Sequence, residues 1–321
     1  MSRLPWLAGI AALAAAPIAL AGFHLGLLTE VLILGLFAMS LDLQLGYARM
    51  VSFGHAGPYG VGAFAAALLM AKAGWPLPCA LAGAVAITAV VAVPVGWLCC
   101  RAGGVAFAML TLAFAQLAYA VAYKWQSLTG GSDGLAGVPR VAGPFGLELF
   151  TGRVGYYALT VALVGSALLA ARAFVASPMG RALVAVRENE ARAEALGFDP
   201  RRLRLAAFVL SNALAGLAGA LYAGHVLFVS PELLLWTVSG HVLVMVILGG
   251  TGTLFGPFLG AAAFLMLEHE VSALTESWAL ILGFIFIVTV IVMPEGMWGL
   301  GARLLRGARR PPAVEPRHAA P

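Results

Sequence analysis

Apolar runs of about twenty residues recur along nearly the whole chain, separated by short polar or glycine-rich breaks. Each run is long enough to cross a hydrocarbon layer of roughly 30 Å as a helix. Hydropathy and breaker residues place ten such helices, at 5–23, 25–45, 54–72, 78–100, 104–124, 154–175, 204–228, 233–249, 254–272 and 276–297. The pattern predicts an all-α polytopic membrane protein whose residues 1–310 form a single transmembrane domain. The remainder, 311–321, contains Pro311, Pro312 and Pro316 and reads as a disordered tail.

One segment departs from the pattern. Between Ser177 and Arg204, 28 positions hold ten of the 33 charged residues. Ser177-Pro178 suits an N-cap followed by a first-turn proline and Gly197 suits a C-cap, which predicts a helix of about five turns between them. Leu183, Val186 and Glu190 fall on one side of that helix, with Arg187 and Glu194 elsewhere. Asp199-Pro200 repeats the start signal and opens the next helix. A solvated loop carrying an exaggerated orientation signal would account for the bases, but it needs neither acids nor caps. The segment is therefore read as a projecting docking element, 177–204.

Composition excludes a soluble domain: 62% of residues are hydrophobic, 10% are charged, and mean hydropathy is +0.96. The net charge of +5 does not point to nucleic acid, because the bases sit in short loops beside apolar runs. With the N-terminus inside, fifteen of the nineteen basic residues face the cytoplasm and only Lys72, Lys124, Arg140 and Arg153 face outward. That bias puts both termini and the docking segment in the cytoplasm. The first run is also compatible with a cleaved signal peptide, since Arg3 precedes an alanine-rich stretch ending in Ala19-Leu20-Ala21. The loop from Trp125 to Arg153, rich in glycine and proline, reads as compact and irregular. Cys79, Cys99 and Cys100 lack C-x-x-C spacing and are assigned a structural role.

Two glycine-rich stretches interrupt the membrane segments. Asp42, Gln44, Tyr47, Ser52, His55, Gly57, Pro58 and Gly60 lie in the first; Gly249-Gly250-Thr251-Gly252-Thr253 leads the second, through Gly256-Pro257 to Gly260. Non-helical backbone at this depth is tolerated only against protein or a water-filled cavity. Path lining and close helix packing, through the small pairs Gly252/Gly256 and Gly256/Gly260, both remain open. Gly57-Pro58 and Gly256-Pro257, followed by Phe64 and Phe264, hint at a parallel internal repeat. The ionisable residues within spans are Glu30, Asp42, His55, His225 and His241, of which His241 is the deepest and faces a partner helix or a conduit. They form no chain of acids such as a proton relay requires.

Several chemistries are missing. No G-x-x-x-x-G-K-[ST] loop surrounds Lys72 or Lys124, His269-Glu270 is not followed by a second histidine at the metalloprotease spacing, and there is no G-x-S-x-G. No catalytic residues, metal site or cofactor are assigned. A pore-like chain with a cytoplasmic docking element and no motor needs its motor from another chain. The competing class is an autonomous channel or gradient-driven transporter for small neutral solutes.

Three ordered motifs carry a family resemblance. They are Leu45-Gly46-Tyr47 with Ser52-Phe53-Gly54-His55-Ala56; Ser177 to Leu183 through Arg187-Glu188-Asn189-Glu190 to Leu196-Gly197, followed by Ala207 to Ser211; and Met245 to Pro257. Over about 30–295 the chain resembles branched-chain amino-acid ABC transporter permeases of the LivM type. The resemblance implies an importer permease fold in the bacterial inner membrane, beside a LivH-like second permease, two cytoplasmic ATPases that use the ATP, and a periplasmic solute-binding protein. It implies that Arg181, Arg187, Glu188, Asn189, Glu190, Arg192 and Gly197 couple to the ATPase. The translocation-path candidates are Asp42, Tyr47, Ser52, His55, His241, Gly249, Gly250, Thr251, Gly252 and Thr253. Leucine, isoleucine and valine are the implied solutes, with related amino acids or amides as relatives' cargo. Arg49-Met50 departs from the family pattern of a small residue and Gln, which bears on the substrate.

Overall fold

The computed structural model describes residues 22–140, 150–275, 277–292 and 296–300. Most of the first expected span, all of the proline-bearing tail 311–321 and part of the outer loop, 141–149, lie outside the described residues.

The described chain is almost wholly helical. The helices are α1 (Phe23–Ala48), α2 (Ala56–Ala71), α3 (Leu77–Cys99), α4 (Gly104–Lys124), the single turn α5 (Gln126–Thr129), α6 (Arg153–Ala176), α7 (Pro178–Glu188), α8 (Glu190–Ala195), α9 (Pro200–Val226), α10 (Trp236–Gly249), α11 (Gly256–Leu274) and α12 (Trp278–Val292). Five of them, α1, α3, α4, α6 and α9, are long and apolar enough to cross a membrane, while α2 and α10 are shorter apolar helices of 16 and 14 residues. At 1.5 Å per residue those two span only about 24 and 21 Å, less than a hydrocarbon layer. The only sheet among the described residues is a two-residue pairing, β1 (Leu135–Ala136) with β2 (Phe228–Val229).

Burial is distributed as a membrane fold requires. In α1 and α9 about three fifths of the apolar window is buried, whereas α6 buries about a fifth and exposes Val154 and Leu169. The first two helices therefore form the centre: α9 packs along α1, α2 and α3, and the α10–α11 hairpin leans on α1. Isolated apolar helices in lipid gain nothing by hiding apolar surface from water, so close backbone approach has to hold such a centre together. The α10–α11 hairpin illustrates it, because a Cβ at Gly260 would strike the backbone of Met245. The packing reading of Gly256 and Gly260 thus has a direct structural counterpart.

The two groups of basic residues separate in space. Arg49, Arg187 and Arg204 line one cavity at the end where α1 finishes and α9 begins; Arg140 and Arg153 line another where α1 begins and α9 finishes. Cys99 and Cys100 are buried at the end of α3, and all three cysteines are free.

One expected element is corrected. The segment after Ser177 is not a single five-turn helix: it breaks at Asn189, whose backbone is extended (φ −157°, ψ 102°). The Asn189 side chain accepts from Arg192 N–H at 2.9 Å and so starts a second short helix, α8. Asparagine competes well for this N-cap role and poorly for a helix interior, which is the physical reason for the break. The other two start signals hold as read. Ser177 accepts from Gly180 N–H at 3.1 Å, and Asp199 accepts from Arg201 N–H and Arg202 N–H at 3.0 and 3.2 Å.

Candidate functional site

α1 does not run straight into α2. It ends in a left-handed residue, Arg49 (φ 53°), and Gln44 C=O takes the backbone N–H of both Arg49 and Met50. Residues 49–55 then rise without helical structure to the start of α2. A second break, Gly250–Phe255, separates α10 from α11 and contains Gly252 at φ 75° and Leu254 at φ 57°. Left-handed backbone is easy for glycine and rare for leucine. Something outside the break must therefore hold it.

Asp42 does so. Its carboxylate, fully buried in α1, accepts from Gly252 N–H at 2.6 Å, Thr253 N–H at 3.2 Å and Leu254 N–H at 3.3 Å. A buried carboxylate without partners would be prohibitively costly, and three convergent amide donors supply the compensation. One turn further on, the Tyr47 hydroxyl donates to Gly252 C=O at 3.0 Å. Between them Gly46 lies against Gly252, where an added Cβ would stand 2.5 Å from the Gly252 nitrogen and 2.6 Å from Asp42 Oδ1. Glycine at position 46 is a condition of this contact. Thr253 completes the break from within, donating to Gly250 C=O at 2.8 Å and accepting from Gly256 N–H at 2.9 Å.

The first break is held reciprocally. Ala56 N–H, the first of α2, donates to Ser239 Oγ in the first turn of α10 at 2.8 Å. The beginnings of the two short helices thus meet. Around them runs a buried polar chain: His55 Nε2 lies 2.8 Å from Ser40 Oγ, Ser40 donates to Phe37 C=O at 2.6 Å, Gln44 Nε2 donates to Ser211 Oγ at 2.7 Å, and Ser211 donates to Ser40 C=O. Since the Ser40 proton is committed to Phe37, His55 must donate from Nε2. Its ring stacks on Phe37 with centroids 5.4 Å apart.

The 177–204 segment connects to this arrangement. Leu183 and Val186 are buried beneath α7, as the apolar stripe predicted. Arg187 reaches inward, donating from Nη1 to Gly46 C=O at 2.6 Å while its other nitrogens hold Glu188 Oε1 at 2.6 and 3.1 Å. That hydrogen bond keeps the Glu188 carboxyl below the usual carboxylate range. In α8, Glu190 receives both Arg204 nitrogens, at 2.9 and 2.7 Å, and so is tied to the start of α9. Arg181 donates to Ala176 C=O at the end of α6, at 3.1 Å. Arg192 is exposed, and Gly197 takes φ 88° after α8.

The path candidates therefore divide. Asp42, Tyr47, Gly249, Gly250, Gly252 and Thr253 come together at the second break; Ser52 and His55 sit at the first, each buried. Thr251 is exposed, and His241, also exposed, lies against the Phe264 ring of α11, 5.3 Å between centroids. Sequence reading missed Ser40, Ser211 and Ser239 as cross-links, because a lone serine in an apolar helix carries no periodic signal. Among the described residues no group of three metal-ligating side chains occurs.

Residues 23–293 match the family described as branched-chain amino acid transport system / permease component. The high-affinity branched-chain amino acid transport system permease protein LivM of Escherichia coli (strain K12) is 30% identical over 284 residues, covering 82% of this chain and 67% of that protein. Its namesake in Salmonella typhimurium is 29% identical over 291 residues, covering 84% and 68%. A shorter match, 39% identical over 113 residues, joins 34% of the chain to 31% of the autoinducer 2 import system permease protein LsrC of Klebsiella pneumoniae. No solved structure matches the chain.

Proposed function

Because the chain belongs to the family of branched-chain amino acid transport system permease components, and is thus a membrane transport subunit and not an enzyme, we propose that it is one permease of an ATP-driven importer. Its cargo in this reading is leucine, isoleucine and valine or related small amino acids and amides. It crosses the bacterial inner membrane about ten times, with both termini and the 177–204 segment in the cytoplasm. Its partners are a LivH-like permease, two cytoplasmic ATPases and a periplasmic solute-binding protein.

The observation that carries this reading is the bond from Arg187 to Gly46 C=O. It ties a surface helix, whose remaining charges are turned outward, to the one turn of α1 that also grips the second break. A closing ATPase that displaced α7 and α8 would move the end of α1, and Asp42 and Tyr47 would carry that movement to Gly252. α9 would follow through Glu190 and Arg204. The solute path would then open or close at the two breaks, where the backbone is held by side chains and not by helical hydrogen bonds.

The test replaces Arg187 and Glu190 by Ala in the assembled importer. Uptake and co-isolation of the ATPases should both fall while the protein still inserts in the membrane; unchanged uptake would remove the docking role. Solute flux through the purified chain alone in vesicles would favour the channel class instead.

A further inference from the structure

At the end of the molecule bearing α7, a cavity of about 200 Å³ opens between the last turn of α1, the start of α4, the two docking helices and the start of α9. Three guanidiniums, from Arg49, Arg187 and Arg204, line it against the single carboxylate of Glu190. Arg187 and Arg204 are occupied by Glu188, Gly46 and Glu190. Arg49 is exposed and forms no ion pair within 4 Å among the described residues, although its charge helps to hold the nearby Glu188 carboxyl down, so the net charge around the cavity stays positive by one. The wall opposite is Gly103-Gly104, where α4 starts with neither a side-chain cap nor an acid in its first turn. The balance of the lining is positive.

The surroundings fix the depth. Two residues before the wall residue Gly103, Arg101 stacks on the half-exposed Trp97 ring at 3.6 Å from its centroid. Tryptophan with a stacked base is the pairing of a membrane–water boundary, apolar ring inward and charge at the headgroups. On the membrane side of that mark, Val90 and Val93 of α3 and Val105 and Met109 of α4 are exposed. The Gly103-Gly104 wall of the positive cavity is thus followed at once by exposed Val105 and, one turn on, by exposed Met109.

We propose that this cavity binds the phosphodiester head of an anionic membrane lipid, with Arg49 as its principal contact and the acyl chains lying along the exposed faces of α3 and α4. Charge complementarity selects the head, and the adjoining strip selects an amphiphile over a soluble anion. The site needs only that the chain lies in a bilayer, but Val186, Arg187 and Glu190 of its lining belong to the 177–204 segment, so lipid binding is read on the chain without the ATPases.

The test uses the full-length chain, delipidated in detergent and titrated with phosphatidylglycerol or phosphatidylcholine under native mass spectrometry, with inorganic phosphate tested by thermal shift. Phosphatidylglycerol should be retained preferentially, and Arg49→Gln should weaken its retention about fivefold, the effect of one base near a membrane surface, without changing phosphatidylcholine. Gly103→Asp guards against simple misfolding. Its side chain meets nothing within 4 Å and supplies the missing N-cap, so thermal stability should hold or rise while phosphatidylglycerol selectivity is lost. Equal retention of the two lipids, or no effect of either variant, overturns the proposal. Stabilisation by inorganic phosphate as strong as by the lipid would assign the cavity to a free anion and overturn it too. So would Arg49→Gln releasing the ATPases from the assembled complex with lipid retention unchanged, since the cavity would then serve a protein.

Discussion

Arg187 and Gly46, 141 positions apart, are joined by a 2.6 Å hydrogen bond from guanidinium to main-chain carbonyl. The carbonyls of a helix's last turn have no partner within the helix. Arg187 therefore serves as a C-terminal cap delivered from another helix, and its planar fork holds Glu188 at the same time. Arg187→Lys concentrates its three donors on one nitrogen and loses the planar fork that reaches Gly46 C=O and Glu188 together. Uptake per ATP hydrolysed should fall in that variant while the amount of protein in the membrane stays unchanged. Equal coupling ratios for Arg and Lys would show that charge alone is sufficient.

Replacing Asp42 separates geometry from charge. Asp42→Ala leaves three amide donors facing a cavity, at about 1–3 kcal/mol for each unsatisfied group, so folded yield and thermal stability should drop sharply. Asp42→Asn keeps one acceptor for Gly252 but turns an NH₂ toward Thr253 and Leu254. It should fold better than the alanine variant and transport less well than the parent, as measured by uptake normalised to protein in the membrane.

At position 46 a single methyl group is enough. Gly46→Ala places a Cβ 2.5 Å from the Gly252 backbone nitrogen, and backbone cannot rotate away as a flexible side chain can. Helix propensity favours the change by up to about 1 kcal/mol, so secondary structure by circular dichroism should persist. Uptake should nevertheless be lost, and disulfide trapping between cysteines placed in α1 and α11 should report an altered separation.

The Glu190–Arg204 pair calls for a charge exchange. Exposed pairs contribute about 0–1 kcal/mol to stability, so Glu190→Arg alone should scarcely affect folding. If the pair transmits movement from α8 to α9, the single variant should lose uptake and the double exchange with Arg204→Glu should restore a substantial part of it.

Much of the fold was legible in the chain. The span read at 104–124 coincides with α4, and Ser177 and Asp199 cap the helices their positions announced. Local rules suffice for such features, since a cap acts within three residues. The break at Asn189 is within reach of the same rules, since asparagine is itself a strong N-cap. What no local rule reaches is the clamp: Asp42 and Leu254 are 212 positions apart, and nothing in the spacing of either segment names the other. A buried aspartate in a span signals that a partner exists. It does not say that the partner is bare backbone.

Ser239 and Ala56 show how two half-length elements can substitute for one rod. A continuous helix would pass any tilt at one surface to the other, whereas a seam fastened by one hydroxyl can be unlatched. In the importer proposed above, the inner and outer faces of such a wall would take turns, one sealed while the other yields.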